Sequence, residues 1–110
     1  MRSLALIVVC LLASCAYVEA TTVPYVGVSR SSPVDPSKVQ VLAAEPKQRH
    51  ERLGEVILHT SSDPAPTLAD IEDRLCEEAA KWGASAVYIV RDIMVPGNER
   101  QIVGIAVRYR

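Results

Sequence analysis

From Thr67 onward the chain alternates apolar and polar residues with a helical period. Leu68, Ile71, Leu75, Ala79 and Trp82 are apolar, with Cys76 and Ala80 alongside, while Asp73, Arg74, Glu77, Glu78 and Lys81 fill the other side. Spacings of three and four predict one amphipathic helix whose charged side, Glu77 and Glu78 included, faces solvent. Thr67 with Asp70 three residues later forms a capping box: the hydroxyl accepts from a first-turn N–H, and the carboxylate favours the positive helix end. Pro64 and Pro66 keep the preceding chain extended, and Gly83 suits the left-handed conformation that closes a helix. Ala86-Val87-Tyr88-Ile89-Val90 then reads as a short, buried, β-branched strand.

The remaining pattern has a period of two. Val39–Leu42 is a short strand, and Leu53–Thr60 a second, with Gly54 marking a bulge or a close backbone approach. Ala86–Val95 and Gln101–Tyr109 flank the turn signal Pro96-Gly97-Asn98 and form an antiparallel hairpin. In the last strand Val103, Ile105, Val107 and Tyr109 share one face. Ile102, Gly104, Ala106 and Arg108 share the other; the small Gly104 and Ala106 suit a closely packed helix, with the opposite assignment as the alternative. The expected fold is α+β, in the order β-β-α-β-β: a small mixed sheet with one helix on one face. The helix joins the second and third strands as a crossover if those strands are parallel. One helix leaves the other sheet face bare, to be covered by a protein partner, a second copy, or a folded-back Val23–Val28 segment.

The first residues carry a different signal. Arg2 precedes a ten-residue apolar run, Leu4–Ala13, which is short for a membrane span and reads as a secretory signal. Two cleavage readings compete. Leu12-Ala13-Ser14-Cys15 resembles the bacterial lipobox, in which cleavage leaves the Cys as the lipidated first residue. Val18-Glu19-Ala20 suits an ordinary signal peptidase. The lipobox reading is the favoured one, and cleavage before Cys15 leaves 96 of the 110 residues. The division is then a signal peptide over residues 1–14, a lipid anchor at Cys15 with a flexible Ser-, Thr- and Pro-rich tether through residue 37, and an α+β domain over 38–110. Such a tether lets the domain stand clear of the headgroups.

Composition narrows the functional classes. Net charge is −1, charged residues make up 23%, and aromatic residues 5%, so neither a basic face nor a stacking platform points to nucleic acid. With Cys10 in the signal and Cys15 lipidated, Cys76 has no intrachain partner and reads as a small core residue. His50 and His59 lack metal-ligand spacing, and with Cys76 they make a site only if the fold gathers all three. Glu45–Arg52 reads as a solvated loop, and Asp92, Glu99 and Arg100 as a solvated turn or a binding rim. No nucleophile, base and orienter appear in matched positions, so no enzyme and no cofactor are expected.

Leu53-Gly54-Glu55-Val56 before the helix, and Ala79-Ala80-Lys81-Trp82-Gly83-Ala84-Ser85-Ala86-Val87 at its end, carry a family likeness. Together with the lipobox they resemble small bacterial envelope lipoproteins whose folded part is similar to YbjQ-like and Rcs-stress-sensor domains. The resemblance implies a palmitate-bearing α+β domain on the outer membrane, facing the periplasm or the surface. Ala16 after Cys15 fits, since Asp there would signal inner-membrane retention. The chain departs from the stress sensor in having no intrachain disulfide pair, and it offers no ligand set for the metal binding suggested for YbjQ-like proteins. The expected role is non-enzymatic: an anchored interaction or structural module. The alternative is a soluble periplasmic or secreted module that binds a small ligand or metal.

Overall fold

Helix α1 (Leu68–Ala80) forms where the apolar period places it, and its start is the expected capping box. Thr67 Oγ1 accepts from the Asp70 N–H at 3.1 Å, and Asp70 Oδ2 accepts from the Thr67 N–H at 3.4 Å. The helix closes at Gly83, which takes φ +73°. The computed structural model describes residues 15–28 and 31–110. The expected signal peptide, residues 1–14 with Arg2, the apolar run and Cys10, lies outside the described residues.

Around α1 are β1 (Val18–Pro24), β2 (Gln40–Leu42), β3 (His50–Ser61), β4 (Ala86–Val95) and β5 (Glu99–Tyr109), with a 3-10 turn at Pro36–Lys38. They form one five-stranded mixed sheet in the order β1-β3-β5-β4-β2. The fold is α+β, and the four expected strands, the hairpin and the single helix are present. β2 runs parallel to β4, and all other neighbours are antiparallel. β3 and β4, joined through α1, therefore run in the same direction, but β5 lies between them. The hairpin turn places Gly97 at φ 94° and Asn98 at φ 57°, the left-handed backbone that a Gly-Asn pair supports.

The fifth strand corrects the expected domain boundary. β1 falls inside the stretch read as a flexible tether, and it pairs with β3 from Val18 opposite Thr60 to Pro24 opposite Gly54. Val18, Ala20 and Val28 pack against the helix-side core. The chain beyond is tied in as well: the Val34 N–H donates to the Ala80 carbonyl at 3.0 Å, and the Asp35 carboxylate caps the 3-10 turn. Of the Val23–Val28 segment, Val23 and Pro24 thus end the edge strand, Val26 is exposed and Val28 packs on the helix-side core. The segment does not fold over the opposite face, where Ala86, Tyr88 and Val107 form a smaller buried cluster.

The core lies between α1 and one sheet face. Ile71, Leu75 and Ala79 meet Val56, Leu58, Val87, Ile102 and Ala106, all buried. Gly104 lets the helix approach, since a Cβ there would lie 2.8 Å from Val87 Cγ2 and 3.4 Å from Leu75 Cδ2. Gly54 combines both readings offered for it. The β3–β5 register shifts between Arg52 and Gly54, and a Cβ at 54 would meet the Val23 carbonyl at 2.7 Å and the Trp82 ring at 2.9 Å. Two helix residues depart from the expected pattern. Glu78 is buried, with its carboxylate held by Lys81 Nζ at 2.6 Å and 3.0 Å. It lies three residues after Leu75, so it shares the core-facing side. Leu68 lies three before Ile71, on that same side, yet it is 66% exposed.

Candidate functional site

The end of the sheet nearest Cys15 is built by three chain segments. Cys15 is exposed, and only Ala16 separates it from Tyr17, whose backbone joins the sheet. The Tyr17 N–H donates to Ser61 Oγ at 2.9 Å, and the Ser61 N–H donates to the Tyr17 carbonyl at 3.2 Å. The Ser61 hydroxyl donates to the Pro64 carbonyl, which ties the loop before α1 to the same end. Ser62 Oγ donates to the Asn98 carbonyl and joins the hairpin tip to that loop.

On the face opposite the helix, Tyr17, Glu99 and His59 form a chain. The Tyr17 hydroxyl donates to Glu99 Oε2 at 2.8 Å, and Glu99 Oε1 lies 2.9 Å from His59 Nδ1. The Glu99 carboxylate raises the Tyr17 hydroxyl's pKa, since the bonded proton is harder to remove beside a negative charge. On the helix side of the same hairpin, Arg100 grips Asp92 with two bonds of 2.8 Å and 2.6 Å, which hold the Asp92 carboxyl below its ordinary range. The expected rim of Asp92, Glu99 and Arg100 is thus split between two faces.

The opposite end carries the feature the sequence concealed. The β2–β3 connection brings Glu45 onto the face opposite the helix, where its Oε2 accepts from four donors. These are His50 Nε2 at 3.0 Å, Arg52 Nε at 3.0 Å, Arg52 Nη2 at 2.6 Å and the Tyr88 hydroxyl at 3.2 Å. The Glu45 carboxyl is lowered to about 2, by the Arg52 bonds first and His50 second. His50 is raised, first by its 2.6 Å bond to the Gln48 carbonyl and then by Glu45. Close by, Glu51 pairs with Arg108 at 3.6 Å and with Arg110. The stretch read as a solvated loop is therefore partly strand, because β3 begins at His50. The only local signal for the Glu45 cluster was its own charge pattern, and its Tyr88 partner is 43 residues away.

His50, His59 and Cys76 are not brought together. Nine residues of strand separate the histidines by roughly 30 Å, and each is bonded to a different glutamate. Cys76 lies on α1, on the other side of the sheet from His59, half-buried, with its thiol donating to the Val39 carbonyl at 3.4 Å. Burial, followed by Asp73, Glu72 and Glu77, pushes the thiol's pKa up, which suits a packing role rather than a reactive one. Among the described residues no group of three His, Cys, Asp or Glu side chains is placed to hold a metal ion. A cleft of about 560 Å³ lies between the Pro24–Val28 segment and Trp82, lined largely by apolar and backbone groups. No helix among the described residues is long and apolar enough to cross a membrane.

This arrangement defines a small α+β domain with a mixed sheet, a single helix and Cys15 at one sheet end. No family model and no curated protein matches the chain. Among solved structures it is similar to a Francisella virulence factor, FvfA, in its orthorhombic crystal form. The TM-score is 0.62 at 20% identity, over 82% of this chain and 97% of that one. At that identity the likeness establishes a shared fold.

Proposed function

We propose that this chain is a non-enzymatic, lipid-anchored protein of the bacterial envelope, an interaction or structural module held in the outer membrane through Cys15. The observation that carries the proposal is the position of β1. Cleavage before Cys15 leaves all seven β1 residues on the domain. Cleavage after Ala20 removes Val18 and Ala20, which pack on the core, and uncovers the β3 backbone at Leu58–Thr60. An exported chain that needs this strand favours the lipobox reading. The likeness to a bacterial virulence factor fits an envelope protein, and the motifs around Gly54 and Gly83 fit the YbjQ-like and stress-sensor lipoproteins.

On this reading the sheet face opposite the helix meets a protein partner or a second copy. At its centre Ile57 and Ile105 are half-buried beside the buried Val103, flanked by Glu55, His59 and Gln101 on the same face. Labelling cells with palmitate tests the anchor. The natural chain takes up label and Cys15→Ala takes up none. Equal labelling of both, or of neither, overturns the anchor.

A further inference from the structure

We propose that the sheet end at Cys15 rests in the surface of the lipid bilayer, so that the domain is held upright with its charged end pointing away. The inference rests on the anchor reading above and goes beyond it by assigning a contact surface and an orientation. Two observations carry it.

The first is reach. Tyr17 is already hydrogen-bonded into the sheet, so two residues link a lipidated Cys15 to the folded domain. Two residues span at most about 7 Å. The hairpin tip at Pro96-Gly97-Asn98 and the loop at Pro64-Ala65 lie at this same end, joined through the Ser62–Asn98 bond. A domain on so short a leash cannot stand clear of the headgroups.

The second is a set of apolar side chains that the fold points inward by period and then leaves uncovered. Leu68 is on the core-facing side of α1 but is 66% exposed. Met94, opposite Arg100 in the β4–β5 register, is on the helix side of β4 and is 56% exposed. Ile93 at 45% and Tyr17 at 42% flank the same end on the other face. These four residues, from α1, β4 and the stretch before β1, lie toward the end that carries Cys15. Bilayer contact supplies the burial that the protein's own core does not. Arg100 is gripped by Asp92, and the exposed Arg91 is offset by Asp63 and Glu19, so no basic cluster among the described residues marks this end for anionic lipid. The contact is carried by the apolar side chains.

The test uses the full lipidated chain in phosphatidylcholine vesicles that contain a spin-labelled phosphatidylcholine. A Cys76→Ala background leaves one added thiol for a fluorophore, either Ala65→Cys at the anchor end or Arg49→Cys at the far end, since Cys15 is blocked by its lipid. The expected result is several-fold stronger quenching at position 65 than at 49, lost when Leu68→Glu and Met94→Glu are combined, with the thermal midpoint unchanged. Equal quenching at both positions in a protein that does carry lipid overturns the inference alone, and leaves the apolar ring to a protein. A chain without lipid, by mass, overturns the anchor reading and this inference with it.

Discussion

At one end of the sheet Tyr17, Leu68, Ile93 and Met94 present exposed apolar side chains beside Cys15. At the other end Glu45, His50, Arg52, Glu51, Arg108 and Arg110 form ion pairs and shared hydrogen bonds. A single β-sheet with one helix has the same backbone chemistry at both ends, so the difference lies in the side chains alone. The charged end satisfies its groups within the chain. The Cys15 end also pairs its charges, His59 with Glu99 and Arg100 with Asp92, but leaves its apolar side chains exposed. A domain whose ends differ in this way has a direction.

The comparison can be strained from either end. The largest effect is expected from starting the chain at Thr21 in place of Cys15. Losing Val18, Ala20 and the first β1 pairs should cost roughly 2–4 kcal/mol, read as a lower denaturant midpoint. An unchanged midpoint would mean that β1 is dispensable, and would return the ordinary cleavage site to favour. Gly54→Ala, towards the charged end, forces apart the β1 backbone and the Trp82 ring. It should cost about 1–3 kcal/mol by thermal melting.

Thr60 lies near the anchor end, fully buried, with its hydroxyl unpartnered. Thr60→Val keeps the shape and removes that hydroxyl, so it should stabilise by about 1 kcal/mol. Equal or lower stability would show that the hydroxyl is satisfied in solution.

Both ends respond to pH, because Arg100 holds the Asp92 carboxyl below its ordinary range at the Cys15 end, but the Glu45 cluster carries the larger shift. Glu45 has a folded-state value lowered to about 2, so its contribution is present above the ordinary carboxyl value of about 4.3 and is lost as pH falls through about 2. His50 is raised, so its contribution is present below about 6.5 and is lost as pH rises through its folded value. Between these limits the Glu45–His50–Arg52 cluster is intact. Arg52→Ala should move the Glu45 carboxyl back towards its ordinary value, followed by carbon-detected NMR titration. No movement would remove Arg52 as the main cause. The smallest change in stability is expected at Leu68→Ser, within about 0.5 kcal/mol, because an exposed side chain contributes little to the fold.

Much of the fold was legible in local pattern. Thr67 with Asp70, the Ile71–Leu75–Ala79 period, Gly83, and the Pro96-Gly97-Asn98 turn each act over a few residues, where chain chemistry alone sets the conformation. Gly104 and Ala106 also pointed to the helix-facing side of β5, because only small side chains admit a helix so closely. Leu68 shows the limit of such reasoning. Its period was read correctly, but burial requires a covering surface, which a local period does not reveal.

The chain by itself determined the helix, four of the strands and their hairpin, since periodicity and turn chemistry are local. Only the tertiary structure decided the rest. Val18–Pro24 became a strand because β3 offers an open edge to pair with, although its Thr and Pro content reads as a linker. β5 came to lie between β3 and β4 because strand order is settled by long-range pairing. Glu45 found His50, Arg52 and Tyr88 because a loop crosses the sheet and brings together residues that sequence distance keeps apart. The anchor motif and the first strand, read separately as a lipid site and a tether, meet two residues apart, and that closeness is what gives the molecule its direction.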